Sequence, residues 1–155
     1  MKTPHLEKRM KMDRAALAAF LDAEFAQVAG MFAIDDLRPM GVTVRLLHDE
    51  RHLRPGGTVS GPAMFALADV SIYLAVLSMI GPRALSVTTN CAIDFMRKPA
   101  AGVDLICEAR LLKLGRQLAV GDCLIYSDGL EAPVARASLT YAIPPDPPAD
   151  PATAR

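Results

Sequence analysis

The sequence predicts an α+β domain in which one long apolar helix packs against antiparallel strands. Residues 63–80 are apolar almost throughout and contain a single charged residue, Asp69. A helix with no polar face must be covered on all sides. Four segments with alternating apolar and polar residues follow, and that period is typical of half-buried strands. Because helix and strands are segregated along the chain, the pattern favours an antiparallel sheet over alternating parallel units.

The first half of the chain predicts a surface helix and a first hairpin. Residues 13–25 place apolar side chains near helical spacing behind Asp13, which is a good N-cap. Over residues 31–47 the period changes to alternation, which indicates a strand or a hairpin. A polar loop over 48–55 then leads into a glycine-rich turn. Pro62 suits the first turn of the core helix, and Gly81 with Pro82 ends that helix.

The second half of the chain predicts four further strand segments. Residues 84–97 form the first, and strict alternation places Thr88 and Asn90 on the same face of that strand. Residues 103–114 and 117–126 form a hairpin whose turn offers Gly115 for a positive φ. A turn at 127–129 leads to the last segment, 132–143. We therefore expect a flexible N-terminus over 1–12, a single domain over 13–143 and a proline-rich, disordered tail over 144–155.

Composition argues against several functional classes. The chain has 17 basic and 17 acidic residues, so it lacks the basic excess typical of proteins that bind nucleic acid or anionic membranes. The N-terminus lacks the apolar core of a signal peptide, and the three cysteines form no Cys-x-x-Cys pair. We expect reduced thiols and a cytoplasmic location. The three histidines have no metal-ligand spacing, so no metal site is expected.

A membrane span is the alternative interpretation of the apolar run. Its length is near the usual threshold for crossing a bilayer, and it carries one charge. The amphipathic strand segments that follow need a core to pack on, however. The helix is therefore predicted to be the core of a domain, with no membrane partner.

Three motifs occur in order along the chain: Gly-Thr-Val-Ser-Gly-Pro at 57–62, Ala-Leu-Ala-Asp at 66–69, and Thr-Thr-Asn-Cys-Ala-Ile-Asp-Phe-Met-Arg-Lys-Pro-Ala at 88–100. Over about residues 40–143 the chain resembles the hotdog-fold acyl-CoA thioesterases of the phenylacetate-degradation, or PaaI-like, group. The resemblance implies a long central helix wrapped by a curved antiparallel sheet of five to six strands. The chain departs from the family pattern at Ser60 (usually His), at Pro62 (usually Gly) and at Arg54 (Asn in many members).

The resemblance implies the roles of four catalytic candidates. Thioester hydrolysis needs a nucleophile and donors for the oxyanion that forms on the carbonyl. Asp69 would activate water or attack the thioester, and the Gly61 backbone N–H would be the oxyanion donor. Thr88 would orient the water. Ser60 has either a role in the site or only the role of helix N-cap, and Asp69 could alternatively be a buried acid held by backbone N–H groups.

Six further residues are candidates for substrate binding. The resemblance places Arg97, Lys98 and Arg116 against the phosphates of coenzyme A, because arginine and lysine both suit phosphate. The other three candidates are Arg54, Pro62 and Asn90. Each has a simpler alternative, such as a solvated strand end or a cross-strand hydrogen bond. Coenzyme A would be part of the substrate, and no separate cofactor is expected.

The implied function is hydrolysis of a small to medium or aryl acyl-CoA by an enzyme whose site is shared between two subunits. The assembly would be a homodimer or a dimer of dimers, that is, a homotetramer. One alternative is a hotdog protein that binds acyl-CoA without turnover, which the changes at Ser60 and Pro62 favour. A hydratase acting on enoyl-CoA is the other, but it would need an Asp and His pair, and no His lies near the motifs.

Overall fold

The computed structural model describes residues 9–146, and the predictions for residues 1–8 and 147–155 lie outside that range. Helix α1 spans Arg14–Glu24 and begins as predicted, with Asp13 Oδ1 accepting from the Ala16 N–H at 2.8 Å. The segment before it is already attached to the fold. The N–H groups of Lys11 and Met12 donate to the Ser78 carbonyl at 2.7 and 3.2 Å, and the Met12 side chain is buried. The folded unit thus begins slightly before residue 13.

Six antiparallel strands form one sheet in the order β1-β2-β4-β5-β6-β3. This confirms the predicted strand number and the α+β class, since every pairing in the sheet is antiparallel. The strand or hairpin predicted over residues 31–47 is a hairpin, formed by the first two strands. The strands are β1 (Phe32–Arg38), β2 (Gly41–Leu46), β3 (Val87–Phe95), β4 (Leu105–Leu114), β5 (Leu118–Ser127) and β6 (Pro133–Ala142).

The core helix, α2, spans Gly61–Ile80 and packs mainly against β4, β2 and β5. Ser60 caps its start, where Ser60 Oγ accepts from the Ala63 N–H at 3.3 Å. Gly81 ends the helix with φ 95°, a conformation that favours glycine. The helix is long and apolar enough to cross a membrane, with mean hydropathy 2.0. However, 78% of the 18-residue stretch with that hydropathy is buried inside the protein. Burial by the protein's own sheet agrees with the core-helix prediction.

Strand β3 contains a β-bulge that the alternation pattern did not predict. Thr88 pairs with Tyr141 on β6, and the next pair is Asn90 with Thr140, so Thr89 is the extra residue. An extra residue reverses the facing of everything after it. Thr88 therefore faces inward and Asn90 is exposed, so the prediction that they share a face was wrong. The predicted positive φ at Gly115 was also wrong, because the turn there closes without it.

The three thiols are free, as predicted: Cys107 and Cys123 are buried and Cys91 is half-buried. The Cys107 thiol and burial together raise the pKa of Cys123 far above that of an exposed thiol. Both residues lie on the side of the sheet that meets α2. They behave as small apolar core residues.

Candidate active site

Asp69 lies two turns into α2, where its carboxylate is held by two hydroxyl groups. The Thr88 hydroxyl donates to Asp69 Oδ1 at 2.5 Å, and the Tyr141 hydroxyl donates to the same oxygen at 2.6 Å. The other oxygen, Oδ2, has no hydrogen-bond partner among residues 9–146. It is not fully buried either. One carboxylate oxygen is therefore fixed, and the other is unpaired and not fully buried.

Tyr141 is a member of this site that the sequence analysis did not identify. It lies on β6 directly opposite Thr88, and its side chain is buried. Burial, and then the negative charge of Asp69, raise the pKa of Tyr141 well above its usual value near 10. The phenol therefore keeps its proton and remains a donor. The sequence feature that could have identified Tyr141 is a tyrosine at an inward-facing position of a predicted strand, because a buried tyrosine hydroxyl needs a hydrogen-bond partner.

Asp69 is one of the residues that line a cavity of about 200 Å³. Aromatic rings form much of its wall: Tyr73 stacks on Tyr141 with ring centroids 6.0 Å apart, and Phe25 from the end of α1 lies 6.3 Å from Tyr73. The Tyr73 hydroxyl donates to the Ala84 carbonyl at 3.0 Å, which fixes that ring in the wall. The remaining lining residues are Glu24, Val70, Ala84, Ser86, Val87 and Thr88.

Gly61 occupies the first position of α2, where backbone N–H groups have no partner within the helix. Its own N–H donates to no acceptor within the described part of the chain. Pro62 has no N–H, and the Ala63 N–H is used by the Ser60 cap. The ring of Phe95 lies close by, since a Cβ on Gly61 would be 3.4 Å from its Cζ. Gly61 thus presents one free donor beside an aromatic ring, at the positive end of the helix dipole.

A second cavity, of about 390 Å³, opens at Gly61 and gathers three of the predicted cations. Arg54, Arg97 and Lys98 all line it, and all three residues are exposed. The Arg97 guanidinium donates to the Pro133 carbonyl at 2.8 Å, which holds this side chain at the strand end. The local charge is positive, although the whole chain is neutral.

Asp69 and Gly61 do not meet within one chain. Asp69 lies eight positions after Gly61 on the helix, which at 1.5 Å per residue is a rise of about 12 Å. They line different cavities. An oxyanion donor has to lie about 3 Å from the reacting oxygen, so these two groups of a single chain cannot act on one thioester.

A family model, the thioesterase superfamily, matches residues 56–133, which is half of the chain. The chain belongs to the thioesterase superfamily. A Pseudomonas aeruginosa protein named as an esterase is 32% identical over 110 residues, which cover 71% of this chain and 79% of that protein. Residues 56–133, which the family model matches, include both Gly61 and Asp69.

Solved structures agree with this assignment. A Silicibacter protein described as a thioesterase shares 58% identity, with a TM-score of 0.84 over 90% of this chain and 97% of the other. The phenylacetic acid degradation protein PaaI of Thermus thermophilus, solved as a point variant, shares 25% identity, with a TM-score of 0.66 over 77% of this chain and 99% of the other. The resemblance to hotdog thioesterases is thereby confirmed, and so is the central helix wrapped by a curved sheet.

The remaining predicted site residues of this thioesterase lie apart from both cavities. Arg116 lines a separate cavity with Ile80 and Arg83, at the opposite end of α2 from Gly61. Asn90 is exposed on the outward face of β3, because of the bulge. Pro62 is exposed at the start of α2, next to Gly61. No group of three or more potential metal ligands occurs between residues 9 and 146.

Proposed function

We propose that this thioesterase hydrolyses acyl-CoA thioesters, with Asp69 as the general base or nucleophile and the Gly61 N–H as the oxyanion donor. The observation that carries the proposal is the state of Asp69. Its carboxylate lies on an apolar helix, is held by two neutral hydroxyls at one oxygen and has no partner at the other, and the residue lines a cavity. An ionisable group inside an apolar helix is costly, and such groups are concentrated at functional sites.

Two routes from this geometry balance chemically. As a base, the carboxylate takes a proton from water while the water oxygen attacks the carbonyl carbon; the C–S bond then breaks, and the leaving thiolate takes the proton. As a nucleophile, a carboxylate oxygen attacks the same carbon and expels the thiolate, and water hydrolyses the resulting anhydride. Both routes place negative charge on the carbonyl oxygen. The Gly61 N–H and the positive end of α2 suit that charge.

The proposed site is shared between two copies of the chain. The separation of about 12 Å along α2 means that Asp69 of one copy would have to meet Gly61 of another. Strand β3 supports such an arrangement, because it is an edge of the sheet and carries Thr88, the partner of Asp69. An open strand edge is a surface on which a second chain can pair. We propose at least a homodimer, with a dimer of dimers as the larger assembly.

The cavities support a division of the substrate between two regions. Arg54, Arg97 and Lys98 would meet the phosphates of coenzyme A, because forked guanidinium groups and the lysine ammonium both bind phosphate. The aromatic cavity at Asp69 holds about 200 Å³, which suits a small to medium or aryl acyl group. Coenzyme A enters as part of the substrate, and the proposed reaction needs no other cofactor.

The test is thiol release from a panel of short, medium, long and aryl acyl-CoA esters. We expect the native protein to turn over at least one ester and both Asp69→Asn and Asp69→Ala to lose about a hundredfold or more in kcat/KM. Asp36→Asn is the matched control, because Asp36 is an exposed acid paired with an exposed arginine on β1. Full activity in the Asp69 variants would refute the assignment.

A binding protein without turnover is the second candidate, and one observation favours it. Only the Gly61 N–H is free at the start of α2, because Pro62 has none and Ser60 occupies the next. A single donor stabilises an oxyanion less than a pair. This candidate predicts that acyl-CoA binds, as measured by calorimetry, while no ester in the panel releases thiol.

A further inference from the structure

We infer that Tyr141 is a positioning residue which, together with Thr88, fixes Oδ1 of Asp69 so that Oδ2 is the oxygen that meets water or the thioester. The inference rests on the proposed function, in which Asp69 carries the chemistry. It adds a residue from a different strand and assigns different tasks to the two carboxylate oxygens.

The first step is the convergence of two donors on one atom. Thr88 on β3 and Tyr141 on β6 are register partners, and their hydroxyls reach the same Oδ1 at 2.5 and 2.6 Å. The terminal torsion of a free aspartate is broad, so an unsupported carboxylate rotates. Two short bonds from two directions remove that freedom. The result is a fixed direction for Oδ2, which has no partner in residues 9–146.

The second step is that Tyr141 itself cannot move easily. Its relative exposure is 3%, and its ring stacks on Tyr73. Its hydroxyl also lies 2.9 Å from the backbone carbonyl oxygen of Asp69, so the phenol contacts the backbone of α2 as well as the Asp69 side chain. Because burial and the nearby carboxylate raise the pKa of Tyr141, the hydroxyl remains a donor through the neutral and mildly alkaline range.

The third step concerns Thr88, whose expected role changes. A threonine hydroxyl has one proton to donate, and here that proton points to Asp69 Oδ1. A water beside Thr88 could therefore only donate to it. Thr88 serves the reaction chiefly by orienting the carboxylate, and the bulge at Thr89 is what turns it inward to do so.

The experiment measures kcat and KM for Tyr141→Phe, Thr88→Val and Thr88→Ser on the best ester of the panel. We expect kcat to fall roughly 10- to 100-fold in the first two, with KM within about threefold of native, because small displacements of a reacting group have effects of that size. Thr88→Ser keeps the hydroxyl and should recover most of the rate. Tyr126→Phe is the matched control, since Tyr126 is a tyrosine on β5 that lines a separate surface cavity.

Two further measurements separate positioning from a structural effect. In an Asp69→Asn background, Tyr141→Phe should lower the residual rate no further, because Tyr141 acts only through the carboxylate. Thermal unfolding should show that Tyr141→Phe is folded at the assay temperature. The inference is overturned if Tyr141→Phe keeps kcat within about twofold of native while Asp69→Asn is inactive. It is also overturned if Tyr141→Phe lowers the rate by the same factor in the Asp69→Asn background as in the native protein. If native and Asp69→Asn are equally active, the proposed function fails instead.

Discussion

The separation of Gly61 from Asp69 predicts that two inactive variants will restore activity to each other. One variant is Asp69→Asn. The other is Gly61→Pro, which removes the donor N–H at the first helical position, where proline is best tolerated. Ser60 before it has φ −74° and ψ 157°, a conformation that a following proline accepts. Each homodimer should be inactive, because every site lacks either the carboxylate or the donor.

The size of the recovery follows if the site is shared between two chains as proposed. In a mixed dimer, one site combines the intact Gly61 of one chain with the intact Asp69 of the other, and the second site carries both defects. Random mixing makes about half of the dimers mixed, so total activity should reach about one quarter of native. Mixed dimers isolated with two different affinity tags should show about one half. The assay is thiol release at fixed total protein after refolding the two variants together.

A second pairing provides the control. Thr88 contacts Asp69 of the same chain, so Thr88→Val and Asp69→Asn damage the same half of each site. Mixing these two variants should give no activity above that of the Thr88→Val parent. The shared-site reasoning is refuted if isolated mixed dimers of Asp69→Asn and Gly61→Pro are as inactive as their parents while both variants remain folded and dimeric.

Three other predictions concern stability. Gly121→Ala should lower the free energy of unfolding by about 1–3 kcal/mol in a urea titration, because the new Cβ would lie 2.7 Å from both Ile72 Cδ1 and a β4 carbonyl oxygen. Adding Ile72→Val should restore only part of the lost stability. An unchanged urea midpoint for Gly121→Ala would contradict this prediction. The pKa values of Tyr141 and Cys123 are raised in the folded protein. As the pH rises, the unfolded chain therefore releases these two protons at a lower pH than the folded protein does. Stability should therefore decline above about pH 9, and Tyr141→Phe should flatten the decline. Ser60→Ala should lower the unfolding free energy by about 1 kcal/mol through loss of the cap, and Ser60→Asp should retain it; equal stability of both variants would argue against capping.

Most of the fold could be predicted because its strongest signals are local. Pro62 and Gly81 mark the two ends of an apolar run, and a proline and a glycine act on the backbone wherever they occur. Asp13 caps α1 for the same local reason. The alternation of apolar and polar residues in β4, β5 and β6 also predicted these strands, since each strand has one face on the core. These elements needed no knowledge of their partners.

The bulge in β3 could not be predicted, because it depends on pairing rather than on composition. The stretch from Thr88 to Asn90 is polar throughout, so alternation there gives no register. The register is set by β6, where Leu139 and Tyr141 both face the core. Tyr141 was missed for the same reason: it lies 72 residues from Asp69 along the chain, and only the β3–β6 pairing brings them together.

The structure also separates the acids that stabilise the fold from the one proposed to act on substrate. Asp35 and Asp104 both pair with Arg45, and Asp35 gives both of its oxygens to that guanidinium. A carboxylate satisfied in this way has little capacity left for a substrate. Asp69 has no ion pair within residues 9–146; two neutral hydroxyls hold one oxygen and leave the other open. A purely structural acid in an apolar helix would be expected to bind a cation or to have both oxygens bonded, so the half-satisfied state of Asp69 supports the proposed chemistry at Oδ2.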